Sequence, residues 1–411
     1  MAEIKPFKGY LPPSDIASKV SSPPYDVMSS DEARLMIQNN SQSFLRIIKP
    51  EIDFETGSEP KGDLLHKHGR DNLQKFIDEG LLVEDKNKCF YIYQIQMENH
   101  TQTGIMATVS VDEYNKGIIK KHEFTKPDKE NDRTRHIEIT NANTGPVFLT
   151  FKNDGQFRKK ISKIKNQSPD IYFTADDDTI HTLWKTYSSD QIGLLSDYFQ
   201  SITALYIADG HHRAASASRV QKNRQDTNPQ HIGSESYNYF LAVIFPDDEM
   251  QILDYNRVVN DLNGLTEKEF FKSIEPSFLV FPYHSPFTPN KPNIISIFLN
   301  KKWYYLEAKD HIKSNDPVKG LEASILQNHL LTPILGIDDP RTNKRIDFIG
   351  GIRGLKELER RCQTDCVIAF ALPPISIEQL LSVADSGDVM PPKSTWFEPK
   401  LRSGMVVRLI N

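Results

Sequence analysis

Asp209, His211, His212 and Arg213 stand around Gly210 in a single run, Tyr206-Ile207-Ala208-Asp209-Gly210-His211-His212-Arg213-Ala214-Ala215. Two imidazoles and a guanidinium are donors toward an anion, and phosphate is the natural one. Asp209 adds a carboxylate beside those donors, which a purely structural turn does not require; it could hold Mg²⁺ or a substrate hydroxyl. Zinc fits less well. Neighbouring helical side chains point about 100° apart, so His211 and His212 cannot grip one ion as an i, i+4 pair does.

The elements that must position these groups are legible in the same stretch. Thr203 to Ile207 alternates as a buried strand, Asp209-Gly210 is a turn dipeptide, and the Ala/Ser-rich run from His211 to Val220 predicts a helix. A helix beginning there aims its first N–H groups and its positive dipole end at whatever lies above the turn. The same dipeptide also serves as an ordinary turn, and spacing alone leaves both readings open.

Three other stretches carry side chains that could do chemistry. Lys120 to Glu138 concentrates lysine, arginine, histidine and acid without a clean amphipathic helix. Such a run is commonly a solvated face; the alternative is a cleft wall in which Glu123 is an activated carboxylate and Arg133 or His136 neutralises phosphate. Lys393-Ser394-Thr395 follows Pro391-Pro392 and supplies an ammonium and two hydroxyls, an anion-binding set. Ser22-Pro23-Pro24-Tyr25-Asp26-Val27 has paired prolines that fix an extended backbone, either a linker turn or a rigid mount for Tyr25 and Asp26. The three cysteines, Cys89, Cys362 and Cys366, imply no disulfide framework and make a poor zinc site. Asp347 to Gly354 is glycine-rich but has neither P-loop nor dinucleotide spacing.

At 411 residues the chain can hold two or three domains, and its net charge of -5 gives no general attraction for nucleic acid. No apolar run approaches the ~20 residues that span a bilayer, and Met1 to Pro6 lacks a signal-peptide core, so a cytoplasmic protein is expected. Alternation predicts strands over Phe90–Met97, Gly104–Val111, Pro146–Phe151 and Tyr239–Phe245, the first two joined through Asn99–Thr103, with a buried strand over Phe44–Ile48. Helical spacing covers Asp31–Gln38, Leu64–Leu82, Leu265–Glu275, Gly320–Leu331 and Ile377–Ala384, and Ile294–Asn300 with Trp303–Glu307 reads as a hairpin.

Five segments occur in an order that resembles a known family: Ser22-Pro23-Pro24-Tyr25-Asp26-Val27, Lys121-His122-Glu123-Phe124-Thr125, Asn141-Ala142-Asn143, Ala208-Asp209-Gly210-His211-His212-Arg213 and Pro391-Pro392-Lys393-Ser394-Thr395. That family is widespread, long labelled as of unknown function, and related to free L-serine kinases with a ParB/sulfiredoxin-like catalytic fold. The resemblance implies an α+β chain: an N-terminal lobe over 1–88, a mixed-sheet ParB/sulfiredoxin-like catalytic core over 89–246, and a C-terminal α/β lobe over 247–411 that contributes to the active site. It implies phosphorylation of free L-serine to O-phosphoserine, with ATP or ADP as donor, pyrophosphate remaining open, and Mg²⁺ as companion ion. Glu123 matches the proposed base, and Asp209 is the second catalytic group and a magnesium contact. Gly210, His211, His212, Arg213, Lys393, Ser394 and Thr395 match the phosphate side; His122, Thr125, Arg133, His136, Asn143, Tyr25 and Asp26 are expected on the substrate side. Histidine occupies the loop where sulfiredoxins carry a cysteine, which argues against sulfinate repair. The chain departs from the smaller archaeal kinases by its N-terminal lobe and central insertions, which leaves the donor open. Other readings are a nucleotide-binding regulator without transfer, or a phosphohydrolase in which Glu123 or Asp209 activates water. A DNA-binding module is disfavoured by the acidic charge and the lack of a helix-turn-helix. A monomer or homodimer is expected, with no nucleic-acid or membrane partner.

Overall fold

A computed structural model describes residues 1–410, a mixed α+β chain that divides into two compact units. The first comprises residues 1–121, 125–250 and 399–410; the second comprises 122–124 and 251–398. The N-terminal 88 residues share one unit with the strands that follow them. The last segment of the chain returns to that same unit.

The first unit is built on a nine-stranded mixed sheet. Its path runs Ile119–Lys120, Leu205–Asp209, Val147–Phe151, Tyr239–Pro246, His100–Ser110, Phe90–Met97, Ile180–Thr186, Ile171–Thr174, and Ile4–Lys5 adds to His100–Ser110. Two pairings are parallel, Leu205–Asp209 with Ile119–Lys120 and Tyr239–Pro246 with Val147–Phe151. Strand Val147–Phe151 is buried on both faces and is apolar except at Thr150, whose hydroxyl donates to the Phe245 carbonyl at 2.9 Å. One core forms where the sheet meets the helices Phe157–Lys165, Ser189–Ser201 and His211–Thr227, through Phe157, Phe199, Leu195, Ala214 and Ala217. A second cluster joins Phe44, Ile47, Leu73 and Phe76 to Val407.

The hairpin Phe90–Met97 with His100–Ser110 turns through Glu98 and Asn99 alone, since Met97 pairs with His100, so the second strand begins earlier than its sequence pattern suggests. Phe44 to Ile48 is not a strand. Leu45–Ile48 forms one helical turn running into Pro50, and a short apolar run without alternation fits either state. Residues 127–140 form a helix with Pro127 in its first turn, although the segment is polar nearly all round.

The second unit carries a six-stranded antiparallel sheet ordered Phe278–Tyr283, Lys302–Ala308, Ile294–Leu299, Ile368–Ala371, Tyr255–Val259, Ile346–Gly350. Phe270, Ile297, Leu306, Leu326 and Phe370 fill one side of it. Cys366 and the half-buried Cys362 pack with Val258 and Trp303 on the other as free thiols. The helix expected over 320–331 is α-helical only over Glu322–Leu326 and continues as a π-helix over Gln327–Leu331. Among the described residues no helix is long and apolar enough to cross a membrane.

Candidate functional site

In the first unit, strand Leu205–Asp209 is buried until its last residue. Its register against Val147–Phe151 shifts between Ile207 and Asp209, so Asp209 falls opposite Phe148. Such an irregularity re-aims a side chain at the end of a strand. Gly210 then takes φ +93°, a left-handed conformation that glycine adopts without penalty, and the helix His211–Thr227 starts at once with no side-chain cap.

Asp209 Oδ1 accepts from the Gly210 N–H at 2.7 Å, and Oδ2 accepts from Lys400 Nζ at 2.9 Å. Burial alone would raise the Asp209 pKa, but Lys400 and Arg213 outweigh it and hold the carboxyl well below the usual carboxylate range. Lys400 lies 191 residues along the chain from Asp209, in the returning segment, and no local pattern in the sequence points to it. Arg213 donates from Nη1 to the Pro146 carbonyl at 2.7 Å and lies 3.7 Å from Asp26. Lys126 N–H donates to His212 Nε2 at 3.0 Å, so the ring proton of a neutral His212 sits on Nδ1.

Tyr25 is held between two guanidiniums, with Arg133 at 4.2 Å and Arg213 at 5.4 Å from its ring centroid. Burial and the neighbouring Asp26 push its phenol up to about 12, against the opposing pull of the two arginines. Tyr25, Arg133, His136, Asn143, Arg213 and Ser403 line a cavity of about 30 Å³, room for a water or two. Five of these six residues are expected from the sequence, in segments spread from 25 to 213. His136 is 2% exposed; its Nε2 meets Thr144 Oγ1 at 3.2 Å, and its Nδ1 has no partner among the described residues. Burial, then Arg133 and His66, hold this imidazole neutral, well below its usual pKa. Asn143 has a structural task, since its Oδ1 accepts from Leu241 N–H at 3.2 Å and from Arg408 Nη1 at 3.0 Å. Thr125 donates to Glu130 at 2.6 Å beside the start of helix Pro127–Thr140.

The second unit joins two other motifs. Met390 N–H donates to the His122 carbonyl at 2.8 Å, and His122 Nε2 lies 3.5 Å from Thr395 Oγ1, across 273 residues of sequence. Glu123 and the 61% exposed Phe124 border a cavity of about 470 Å³ together with Met390, Pro391 and Pro392. Ser394 is buried and donates its hydroxyl to the Pro391 carbonyl at 2.6 Å, which fixes the turn. Lys393 sits at φ +58° with its ammonium 5.6 Å from the Tyr255 ring centroid. Glu123, His122, Lys393, Ser394 and Thr395 thus belong to the second unit. Asp209, Gly210, His211, His212, Arg213, Tyr25, Asp26, Thr125, Arg133, His136 and Asn143 belong to the first.

No cluster of three or more His, Cys, Asp or Glu able to cage a metal occurs among the described residues. Asp209 can still offer lone pairs beyond its two hydrogen bonds, which fits a Mg²⁺ carried mainly by phosphates and waters rather than by protein.

A family signature described as "Protein of unknown function (DUF1015)" matches residues 4–324. The chain belongs to that family. No curated protein matches the sequence. Among solved structures, a conserved hypothetical protein from Pyrococcus furiosus is similar at 14% identity and a TM-score of 0.38, over 74% of this chain and 95% of that one. SbnI with a C-terminal truncation, from Staphylococcus aureus, is similar at 12% identity and a TM-score of 0.38, over 74% and 87%. A free serine kinase in complex with AMP is similar at 13% identity and a TM-score of 0.35, over 72% and 86%. All three likenesses are remote.

Proposed function

We propose that this protein is a phosphotransferase with an alcohol acceptor, moving a phosphoryl group from a nucleotide to the hydroxyl of free L-serine on a ParB/sulfiredoxin-like core. The observation that carries the reading is the strand end at Asp209. There, a left-handed glycine, an uncapped helix start, Arg213 and the Lys400–Asp209 pair gather on one turn. A helix N-terminus beside cations is an anion site, and a lone carboxylate within it suits a phosphate that is to be transferred rather than merely stored. The ordered sequence motifs support the same reading.

In this mechanism the donor's phosphates lie at the start of helix His211–Thr227, with Arg213, His211 and His212 meeting their oxygens. Mg²⁺, when bound, neutralises phosphate charge there, with Asp209 as its protein oxygen. Glu123 orients the serine hydroxyl and accepts its proton late, because an alcohol is far too weak an acid to ionise beforehand. The serine oxygen forms the new O–P bond as the bond from phosphorus to the donor's bridging oxygen breaks, and the electron pair leaves on the shortened donor. The product, O-phosphoserine, would feed serine and cysteine metabolism.

The test is mass-spectrometric detection of O-phosphoserine after incubation with Mg²⁺, L-serine and ATP, ADP or pyrophosphate in separate tubes. Product is expected with one donor, and Glu123→Gln should reduce the rate by about 10²–10⁴-fold. No product with any donor, or full activity in Glu123→Gln, would sink the assignment.

A further inference from the structure

The cavity bordered by Glu123 in the second unit carries more polar chemistry than a proton acceptor requires. Its volume of about 470 Å³ lies in the range of small-molecule sites. Lys319, Ser324, Asn328 and Asp338 share its wall. They come from the approach to helix Glu322–Leu326, from that helix, from the π-helical turn Gln327–Leu331 and from the loop beyond it. A π-helical turn is rare and is frequently found at functional sites.

The pairing of these groups separates them from a merely solvated face. Asp339 is engaged by Arg341 at 2.9 Å, so that acid and that base neutralise each other. Asp338 makes no side-chain ion pair or hydrogen bond among the described residues, and Lys319, though it feels Asp316, forms no ion pair either. Ser324 is 4% exposed, and its Oγ has no hydrogen-bond partner among the described residues. A buried hydroxyl without a partner is uncommon, because it forgoes its bonds to water. One unpaired carboxylate, one unpaired ammonium, a hydroxyl and an amide around one cavity are the complement of a zwitterion.

We propose that this cavity is the acceptor pocket: Asp338 reads the ammonium and Lys319 the carboxylate of a free hydroxy amino acid, whose hydroxyl is presented to Glu123. Ser324 and Asn328 supply the neutral hydrogen bonds. Only the role of Glu123 rests on the phosphotransferase reading; the two charge-reading residues stand on the cavity itself.

L-alanine tests this directly, since it carries both poles but no hydroxyl and cannot be phosphorylated. Calorimetric titration of L-alanine into the full chain should show binding that Asp338→Asn and Lys319→Met each weaken about three- to tenfold, the usual effect of one partly solvated charge. With serine as substrate, both variants should raise KM more than they lower kcat. N-acetylserine, which lacks the ammonium, should be insensitive to Asp338→Asn. Both side chains are exposed, so circular dichroism should be unchanged. Serine turnover with unaltered KM in both variants would overturn the pole assignment and leave the phosphotransferase standing. Alanine binding that the variants weaken, in a protein that makes no O-phosphoserine, would support the amino-acid pocket and remove the phosphotransferase.

Discussion

Replacing Lys400 with methionine isolates the electrostatics of the proposed phosphate site at Asp209. In the native protein, Lys400 and Asp209 form a pair of zero net charge at 2.9 Å, and Asp209 retains 38% of its side-chain surface. Lys400→Met keeps the length of the stem but leaves one uncompensated negative charge at the helix start. The Asp209 pKa rises toward the ordinary carboxylate value when Lys400 is removed, yet at pH 7 the group stays ionised, so the charge persists. A unit charge about 6 Å from a phosphate, at an effective dielectric of about 40 for a partly exposed site, is worth about 1.4 kcal/mol, or tenfold in affinity per phosphate charge. Lys400→Met should therefore weaken ADP binding about tenfold. In Mg²⁺-free buffer Asp209→Asn should tighten it by a similar factor and the double variant should bind close to wild type, while with Mg²⁺ and serine present Asp209→Asn should abolish transfer. Calorimetry at low and moderate salt measures all four proteins, and the differences should shrink as salt screens them. If Lys400→Met binds ADP as tightly as wild type, or if Asp209→Asn fails to restore its affinity, phosphate does not lie at this turn.

Two further perturbations bear on the scaffold. His181 is fully buried, with Nδ1 at 2.8 Å from the Tyr93 hydroxyl and Nε2 at 2.9 Å from Thr179 Oγ1; burial and Arg402 hold its pKa at about 3. Because the unfolded chain binds this proton near pH 6.5, stability is complete above that pH and falls as pH drops toward 3, by about 1.4 kcal/mol per unit. Between pH 7 and pH 5 the wild type should lose about 2 kcal/mol that His181→Gln does not lose, and equal pH slopes in urea unfolding would refute the linkage. Gly210→Ala should destabilise by about 1–2 kcal/mol and weaken nucleotide binding, because φ +93° is strained for a residue with a Cβ although the nearest atom would lie an ordinary 3.5 Å away. Gly210→Asn should cost less, and the reverse order of urea midpoints would show that clash rather than conformation decides.

The strand, turn and helix around Asp209 were legible because each has a local signal: alternation, Asp-Gly, and an Ala-rich run bounded by the turn. The hairpin Phe90–Met97 with His100–Ser110 was legible for the same reason. Helix Pro127–Thr140 was hidden because it has no apolar stripe to betray its period, and only Pro127 announced its start. Helix Glu322–Leu326 kept its place but not its geometry, since the widening to π at Gln327 breaks no pattern of apolar spacing. Lys400 and the partners of Asn143 lay beyond local reading altogether: their contacts span 191, 98 and 265 residues, and nothing in the neighbouring sequence marks them. Tyr25, Arg133, His136 and Arg213 could be named from their chemistry, but only the folded chain stacks the arginines on the tyrosine ring.

The return of residues 399–410 to the first unit has a consequence for biosynthesis. Lys400, Arg402 and Ser403 engage Asp209, Asp177 and Ser22, all of which leave the ribosome long before the 251–398 segment has been translated. At about 5–20 residues per second, the earlier part of the chain must wait many seconds with the Asp209 carboxylate lacking its lysine. A nascent chain that stops short of residue 399 therefore cannot complete the Lys400–Asp209 pair, and residues 399–410 act as the latch that closes the first unit.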